Sequence, residues 1–473
     1  MKQGFAATGA GDGLIETLRD VLGDGRLLTE AADRIAYGCD NSTRQGMPLA
    51  VALPDTHAEV VAIVAACHRH RLPVIARGQG TGTTGAAVPL GDALILCLNR
   101  MNRIVQIDPD NRLLIAEPGV TNQAIQAAAG AAGFFWPPDP TSASVCTLGG
   151  NLACNAAGPR AVKYGTPREN TLGLRAVSGT GRAFRTGVKT TKGVVGYDLT
   201  RLLIGSEGTL AVITQATLKL TPLPEAKVTL QAVYRDMAGA AHAVSRIMAQ
   251  PVVPCALEFM DAAAIDMVRA YADCELPRNA GALLMIEVDG TQAELERAAA
   301  AIRRAAENDA LLNFTQAATR EDVEALWRTR KALSPALREV APKKINEDVV
   351  VPVSRIPELV TRLEALAARY AIPIVNFGHA GNGNLHVNLL FDPDDAGQQA
   401  RAEQCLDEVF TTVLALDGTL SGEHGIGWVK REFVARELDP EALALMHAIK
   451  AQFDPAGILN PGKTLPAVGG RLD

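Results

Sequence analysis

The chain has 473 residues, of which 48% are hydrophobic and 21% charged, with a formal net charge of −6. That length exceeds what one ordinary core organises, so two or more domains of a globular enzyme are expected. The acidic balance offers no overall basic field to release counterions, which argues against nucleic acid as the main partner.

The opening stretch, MKQGFAATGAGDGLIETLRDVLG, lacks the apolar core of a secretion signal. No apolar run reaches the roughly 18 residues of a membrane helix. The expectation is a cytoplasmic protein, with docking on the inner membrane surface as the one membrane role left open. Eight cysteines are present (39, 67, 97, 146, 154, 255, 274 and 405) and none form CxxC. Several sit in apolar runs, so buried reduced thiols are expected rather than an iron–sulfur or zinc centre.

In chain order, residues 13–37 read as amphipathic helices with Leu14, Leu18, Leu22 and Ile35 as apolar positions. LAVALP is a short strand, and DTHAEVVAIVAACHRHRL is a helix capped by Asp55 or Thr56. PVIAR is a second strand, leading into a glycine-rich loop. ALILCL, RIVQID and RLLIAEPGV come next as three strands, and TNQAIQAAAGAAG is a helix capped by Thr121. Residues 136–165 form a long Gly/Pro/Asn/Ser-rich stretch of the kind that usually carries function. LGLRAVSGTGRAFRTG is a β-hairpin turning at Gly179–Gly181. LTRLLIGSEGTLAVIT is a helix end, a glycine turn and a strand. Pro222 and Pro224 mark a boundary, beyond which strands and helices mix. An antiparallel sheet with helices on one face is expected there.

The loop RGQGTGTTGAAVPLG (residues 77–91) matches GxGxxG at Gly80, Gly82 and Gly85. As a nicotinamide fingerprint it needs a helix opening on its last glycines. Pro89 comes too soon for that. A tight turn is the plain alternative. A third reading is an anion nest of successive backbone N–H groups, with Arg77 adding charge.

The loop resembles the pyrophosphate loop of the vanillyl-alcohol-oxidase, or PCMH-type, FAD-binding domain. The segments PPDPTS (137–142), LGGNLACNAAGPRAVKYGTPRENTLG (148–173) and LLIGSEGTLAVIT (202–214) resemble its further flavin segments, in order. The resemblance implies that Gly78, Gly80, Thr81 and Gly82 surround the pyrophosphate. It implies that Pro138, Asp139, Thr141, Ser142, Gly149, Gly150, Asn151, Asn155 and Gly158 contact the flavin and ribityl chain. Glu207 and Ile213 would lie toward adenine and ribose. Thr81 stands where some members attach FAD through histidine, which implies non-covalent FAD.

In the C-terminal half, NFGHAGNGNLHVNLL places His379 and His386 around a Gly/Asn turn, and LSGEHGIGWVK places Glu423 beside His424. Two histidines and a glutamate suit a divalent cation of the Zn or Mn type. These segments, with ALWRTRKALSPAL (325–337), resemble FAD-linked oxidases acting on D-2-hydroxy acids: D-lactate, D-2-hydroxyglutarate and glycolate dehydrogenases. The resemblance implies that His379, His386 and Glu423 bind the metal, with Asn388 close by on the substrate. It makes His424 the catalytic base, Arg330 the partner of the substrate carboxylate, and Ser334 a hydrogen-bonding group. Dicarboxylate-specific members carry a lysine where this chain has Asn346, which weakens the 2-hydroxyglutarate reading.

The fold class implied is α+β: a two-part PCMH-type FAD domain (1–225), a substrate or cap domain with an antiparallel sheet (226–435), and a C-terminal segment (436–473) returning to the FAD domain. The activity implied is oxidation of a D-2-hydroxy acid, D-lactate first, by FAD. D-2-hydroxyglutarate dehydrogenase or a glycolate oxidase FAD subunit in a complex is the alternative. A flavin oxidase of another alcohol or sugar, or a non-catalytic electron-relay subunit, are the rivals. Expected partners are the hydroxy acid, a second copy in a homodimer, and an electron acceptor: quinone, cytochrome, electron-transfer flavoprotein or iron–sulfur subunit.

Overall fold

Short apolar strands joined by one capped helix open the fold. The computed structural model describes residues 10–23, 25–42, 44–271 and 276–467. Strands Ala50–Ala52, Leu94–Cys97 and Val74–Arg77 lie parallel in that spatial order, and Leu27–Leu28 adds an antiparallel edge. Helix His57–His70 makes the crossover. Thr56 is its cap: Thr56 Oγ1 accepts the Glu59 N–H, and the Glu59 carboxylate accepts the Thr56 N–H. This reciprocal box satisfies two donors the helix would otherwise strand. Helix Ala10–Leu22 buries Leu14, Leu18 and Leu22 against Val60, Ile63 and Val64. Ile35 departs from expectation. It lies in a single 3₁₀ turn and is 64% exposed, because no helix continues there to turn it inward.

A second sheet in the same unit is antiparallel, in the order Ile104–Asp108, Leu113–Ala116, Ala211–Lys219, Thr171–Ser178, Ala183–Gly187. The last two strands are the expected hairpin, closed by Ser178 N–H to Arg182 O at 3.0 Å. The C-terminal segment returns to the first sheet. Val74 N–H donates to Ile458 O, and Asn460 N–H donates back to Val74 O.

The other unit is a seven-stranded antiparallel sheet. Its order is Leu311–Gln316, Ala226–Tyr234, Ala282–Gly290, Ala256–Asp261, Ile374–His379, Asn384–Phe391, Lys343–Val350. Helices cover both faces rather than one. Val233, Met260 and Phe377 pack with Ile265 and Leu337 from helices Ala262–Tyr271 and Leu333–Val340. The neighbouring Tyr234 points the other way and donates its hydroxyl to Ala306 O, at the end of helix Gln292–Ala306. Every residue of the strands Ile374–His379 and Asn384–Phe391 is buried. A polar residue on these strands is therefore enclosed whichever face it takes.

The chain divides into one unit holding residues through Ala157, Gly165–Leu223 and the chain from Glu423 onward, and a second holding Gly158–Tyr164 and Pro224–Gly422. The first edge falls between Pro222 and Pro224, two residues before the position read from sequence. The second falls 13 residues earlier than the 435/436 position. Gly158–Tyr164 joins the second unit because Asp289 holds it: Lys163 Nζ lies 2.5 Å and Tyr164 Oη 2.8 Å from its carboxylate. The chain re-enters the first unit at Glu423 because Glu207 anchors the residues just beyond. Its carboxylate accepts the N–H groups of Ile426 and Gly427 and the hydroxyl of Thr464.

The seven described cysteines are free thiols, and five are buried; Cys274 lies outside the described residues. Burial pushes the Cys67 thiol up to about 12. Among the described residues, no helix is long and apolar enough to cross a membrane.

Candidate flavin and active sites

In the first unit, the glycine loop leaves strand Val74–Arg77 and opens no helix. Asn41 holds its outer side: Asn41 N–H donates to Gly82 O and Asn41 Nδ2 to Thr81 O. Among the described residues, the N–H groups of Gly80, Thr81 and Gly82 meet no protein acceptor. A row of undirected backbone donors is what an anion nest requires. Gly80 has φ +71, and a Cβ there would lie 2.2 Å from Arg77 Nη2. The missing side chain thus lets the loop rest on the guanidinium. Arg77 is 8% exposed, and its buried Nη1 has no partner. A Cβ on Gly82 would meet nothing within 4 Å. Unspent N–H groups, a buried unspent cation and open space beside a glycine fit the pyrophosphate of FAD.

Several other expected flavin residues spend their polar atoms within the protein. Asn151 is 2% exposed and bonds Asn122 and Cys146. Asn155 caps helix Leu148–Cys154 at φ +55, and its Oδ1 accepts from Thr166 and Arg168. The Ile213 side chain lies in an apolar core, which leaves only its backbone for a ligand. Gly149 and Gly78 are packing glycines: a Cβ would strike Pro118 at 2.8 Å and Thr147 Oγ1 at 2.2 Å, respectively. Pro138 is buried, and its carbonyl accepts from Asn122. Asp139 N–H donates to Ala157 O, and Ser142 O accepts from Val145 and Cys146. Thr141 and Gly150 are exposed, and Gly158 belongs to the second unit. Glu207 is a pin for the returning chain. Burial raises its carboxyl above the ordinary range, against the bonds from Thr464, Gly427 and Ile426.

In the second unit, the fold brings His379, His386 and Arg330 together around an acid that motif reading missed. Glu258, 3% exposed, stands directly across from His379 in the sheet register. One carboxylate oxygen bonds His379 Nδ1, and the other accepts from Arg330 Nη2 at 3.3 Å. Burial pushes this carboxyl up, but the His379 hydrogen bond and the Arg330 guanidinium work against it, and the group lies below its ordinary range. Arg330 lies over the Phe377 ring at 4.6 Å, and its buried Nε has no partner. The His379 and His386 rings meet edge-on, with centroids 5.2 Å apart.

Asp348, fully buried, is the second acid missed. Its Oδ1 stands 4.0 Å from His386 Nδ1 and accepts from Asn384 Nδ2 at 2.6 Å. Its Oδ2 accepts the Gly422 N–H at 2.9 Å, one residue before Glu423. Asn388 accepts from Asn346 and donates to Val375 O and His386 O. Ser334 stands in helix Leu333–Val340, but its side chain lies outside the described set. Glu423 and His424 belong to the first unit, at its junction with Gly422. The signal for Glu258 was an ionisable residue inside the apolar run CALEFM, whereas Asp348 closes the polar stretch KKINED and carried no such signal. Two histidines backed by buried carboxylates are a donor set that fits a divalent cation.

Residues 48–187 match an FAD binding domain, and residues 223–464 match the C-terminal domain of FAD linked oxidases. The chain is 39% identical to glycolate oxidase subunit GlcD of Bacillus subtilis, over 95% of this chain and 96% of that one. It is 32% identical to a probable mitochondrial D-lactate dehydrogenase of Danio rerio, over 97% and 93%. Its fold resembles p-cresol methylhydroxylase at 18% identity, with a TM-score of 0.80 over 98% of each chain. The chain belongs to the FAD-linked oxidases, with an FAD binding domain followed by their C-terminal domain. It is an FAD-linked oxidoreductase.

Proposed function

We propose that this enzyme oxidises a small D-2-hydroxy monocarboxylate, of the D-lactate or glycolate class, to the 2-oxo acid. The observation that carries this reading is Arg330, a half-buried guanidinium whose enclosed Nε is unspent, beside two carboxylate-backed histidines. Relatives named for glycolate and D-lactate oxidation support the substrate class. Bound FAD supplies the acceptor for the C2 hydride, and a divalent cation supplies charge that favours the ionised hydroxyl.

The residues that would hold the cation are His379, His386 and Glu423, and those that would hold the FAD pyrophosphate are Arg77 and the Gly80–Gly82 amides. Arg330 takes the substrate carboxylate and fixes its orientation, as a planar guanidinium does best. His424 takes the hydroxyl proton, imidazole being the side chain suited to general-base work near neutrality. The neutral Asn346–Asn388 pair offers no second cation, which favours a monocarboxylate over 2-hydroxyglutarate. Electrons leave to an external acceptor. A relative named as a subunit favours a partner chain in that role.

The test is dye reduction by the purified chain with glycolate, D-lactate, L-lactate, D-malate and D-2-hydroxyglutarate. Turnover should be highest with D-lactate or glycolate, and thorough chelation should abolish it. Preference for a dicarboxylate, or activity untouched by chelation, would contradict the reading.

A further inference from the structure

We infer that Glu258 is a positioning residue that couples the metal-binding face of the site to its carboxylate-binding face. The inference rests on the proposed cation site and concerns a residue outside its ligand set. Glu258 is enclosed in a strand whose six residues are all buried. A charge in that place is costly unless both carboxylate oxygens are paired. Both are, and each with a different working group. One oxygen bonds His379 Nδ1, and the other holds Arg330 Nη2.

The bond to Nδ1 has a chemical consequence. A carboxylate accepts, so Nδ1 carries the proton and Nε2 keeps the lone pair. His379 is thereby set in the tautomer that ligates through Nε2, with its ring orientation fixed and its basicity raised. The bond to Arg330 leaves the rest of the guanidinium for a second carboxylate. Removing the charge at 258 should therefore weaken two events that have no ligand in common. Asp348 stands to His386 Nδ1 at 4.0 Å on the neighbouring strand pair, so each histidine has its own acid.

The test is Glu258→Gln in the full-length, FAD-loaded chain, stripped of metal and titrated with Zn²⁺ or Mn²⁺ against a chromophoric chelator. His379→Ala is the control that loses the site. Glu258→Gln should bind the ion about 10–100-fold more weakly and raise KM for the hydroxy acid. Flavin content and melting temperature should remain close to wild type. If Glu258→Gln fails to retain flavin, Glu258→Asp keeps the charge, withdraws it by one methylene, and reports the same two losses. Wild-type metal affinity in a folded Glu258 variant, with His379→Ala defective, overturns the inference and leaves the cation site standing. No ion bound by the wild-type chain overturns the cation site and the inference with it.

Discussion

Arg330 has one nitrogen on Glu258, its face on Phe377 and its Nε buried without a partner. Arg330→Lys keeps the charge but loses the planar fork. Losing one charge-assisted bond costs about 1.5–3 kcal/mol, so KM for the hydroxy acid should rise about 10–100-fold. Steady-state kinetics with D-lactate and glycolate read this directly. His424→Ala should lower kcat about 10²–10⁴-fold with the flavin absorbance intact. Asp261 gives a pH signature in the same sheet. It accepts from Asn376 and Ala264, and burial raises its carboxyl from 3.8 to about 6. Between those values the unfolded chain has lost the proton that the folded chain still holds. This group's contribution therefore falls as pH rises through that window and is level above it. At about 1.4 kcal/mol per pH unit, the fall is about 3 kcal/mol. Denaturation across pH 4–7 should show wild type losing that much stability relative to Asp261→Asn. At this scale the histidines and Arg330 were legible because each sits in a short local motif. Glu258 was not, since its partner His379 is 121 residues away and only the sheet register makes them neighbours.

The glycine loop shows how an element is decided by the residues after it. GxGxxG alone predicts a nicotinamide site, but Pro89 comes too soon for the required helix, and the chain forms none there. What remains is a nest of backbone donors over Arg77. The strands and capped helices of residues 49–131 were legible because their apolar runs are short and their caps are ordinary Thr residues. The helices on both faces of the seven-stranded sheet were not, because a strand buried on both sides loses the alternation that marks a face. Glu207, expected toward the adenine and ribose, also holds the returning chain through its carboxylate. Its three donors, the amides of Ile426 and Gly427 and the Thr464 hydroxyl, have no substitute acceptor in Glu207→Ala. Stranding buried donors costs about 1–3 kcal/mol each. Glu207→Ala should therefore lower the melting temperature and speed amide exchange at Ile426 and Gly427. Unchanged exchange at both would remove the pin.

The whole chain is two units interleaved in sequence, and this arrangement was only partly legible. The prolines at 222 and 224 mark one edge in the sequence itself. The other edge, at Glu423, is set by the long-range bonds of Glu207 and leaves no compositional trace. Segment 158–164 crosses to the second unit through Asp289, more than a hundred residues on. The proposed reaction moves hydride from a small D-2-hydroxy monocarboxylate onto the flavin of this chain alone. Its most direct test is anaerobic mixing of the purified yellow protein with D-lactate or glycolate while the oxidised-flavin absorbance is monitored. Rapid bleaching is expected with one or both, little with L-lactate or D-2-hydroxyglutarate, and bleaching slowed about 10²–10⁴-fold in His424→Ala. A flavin that stays oxidised with D-lactate and glycolate, or that bleaches equally in His424→Ala, would contradict it.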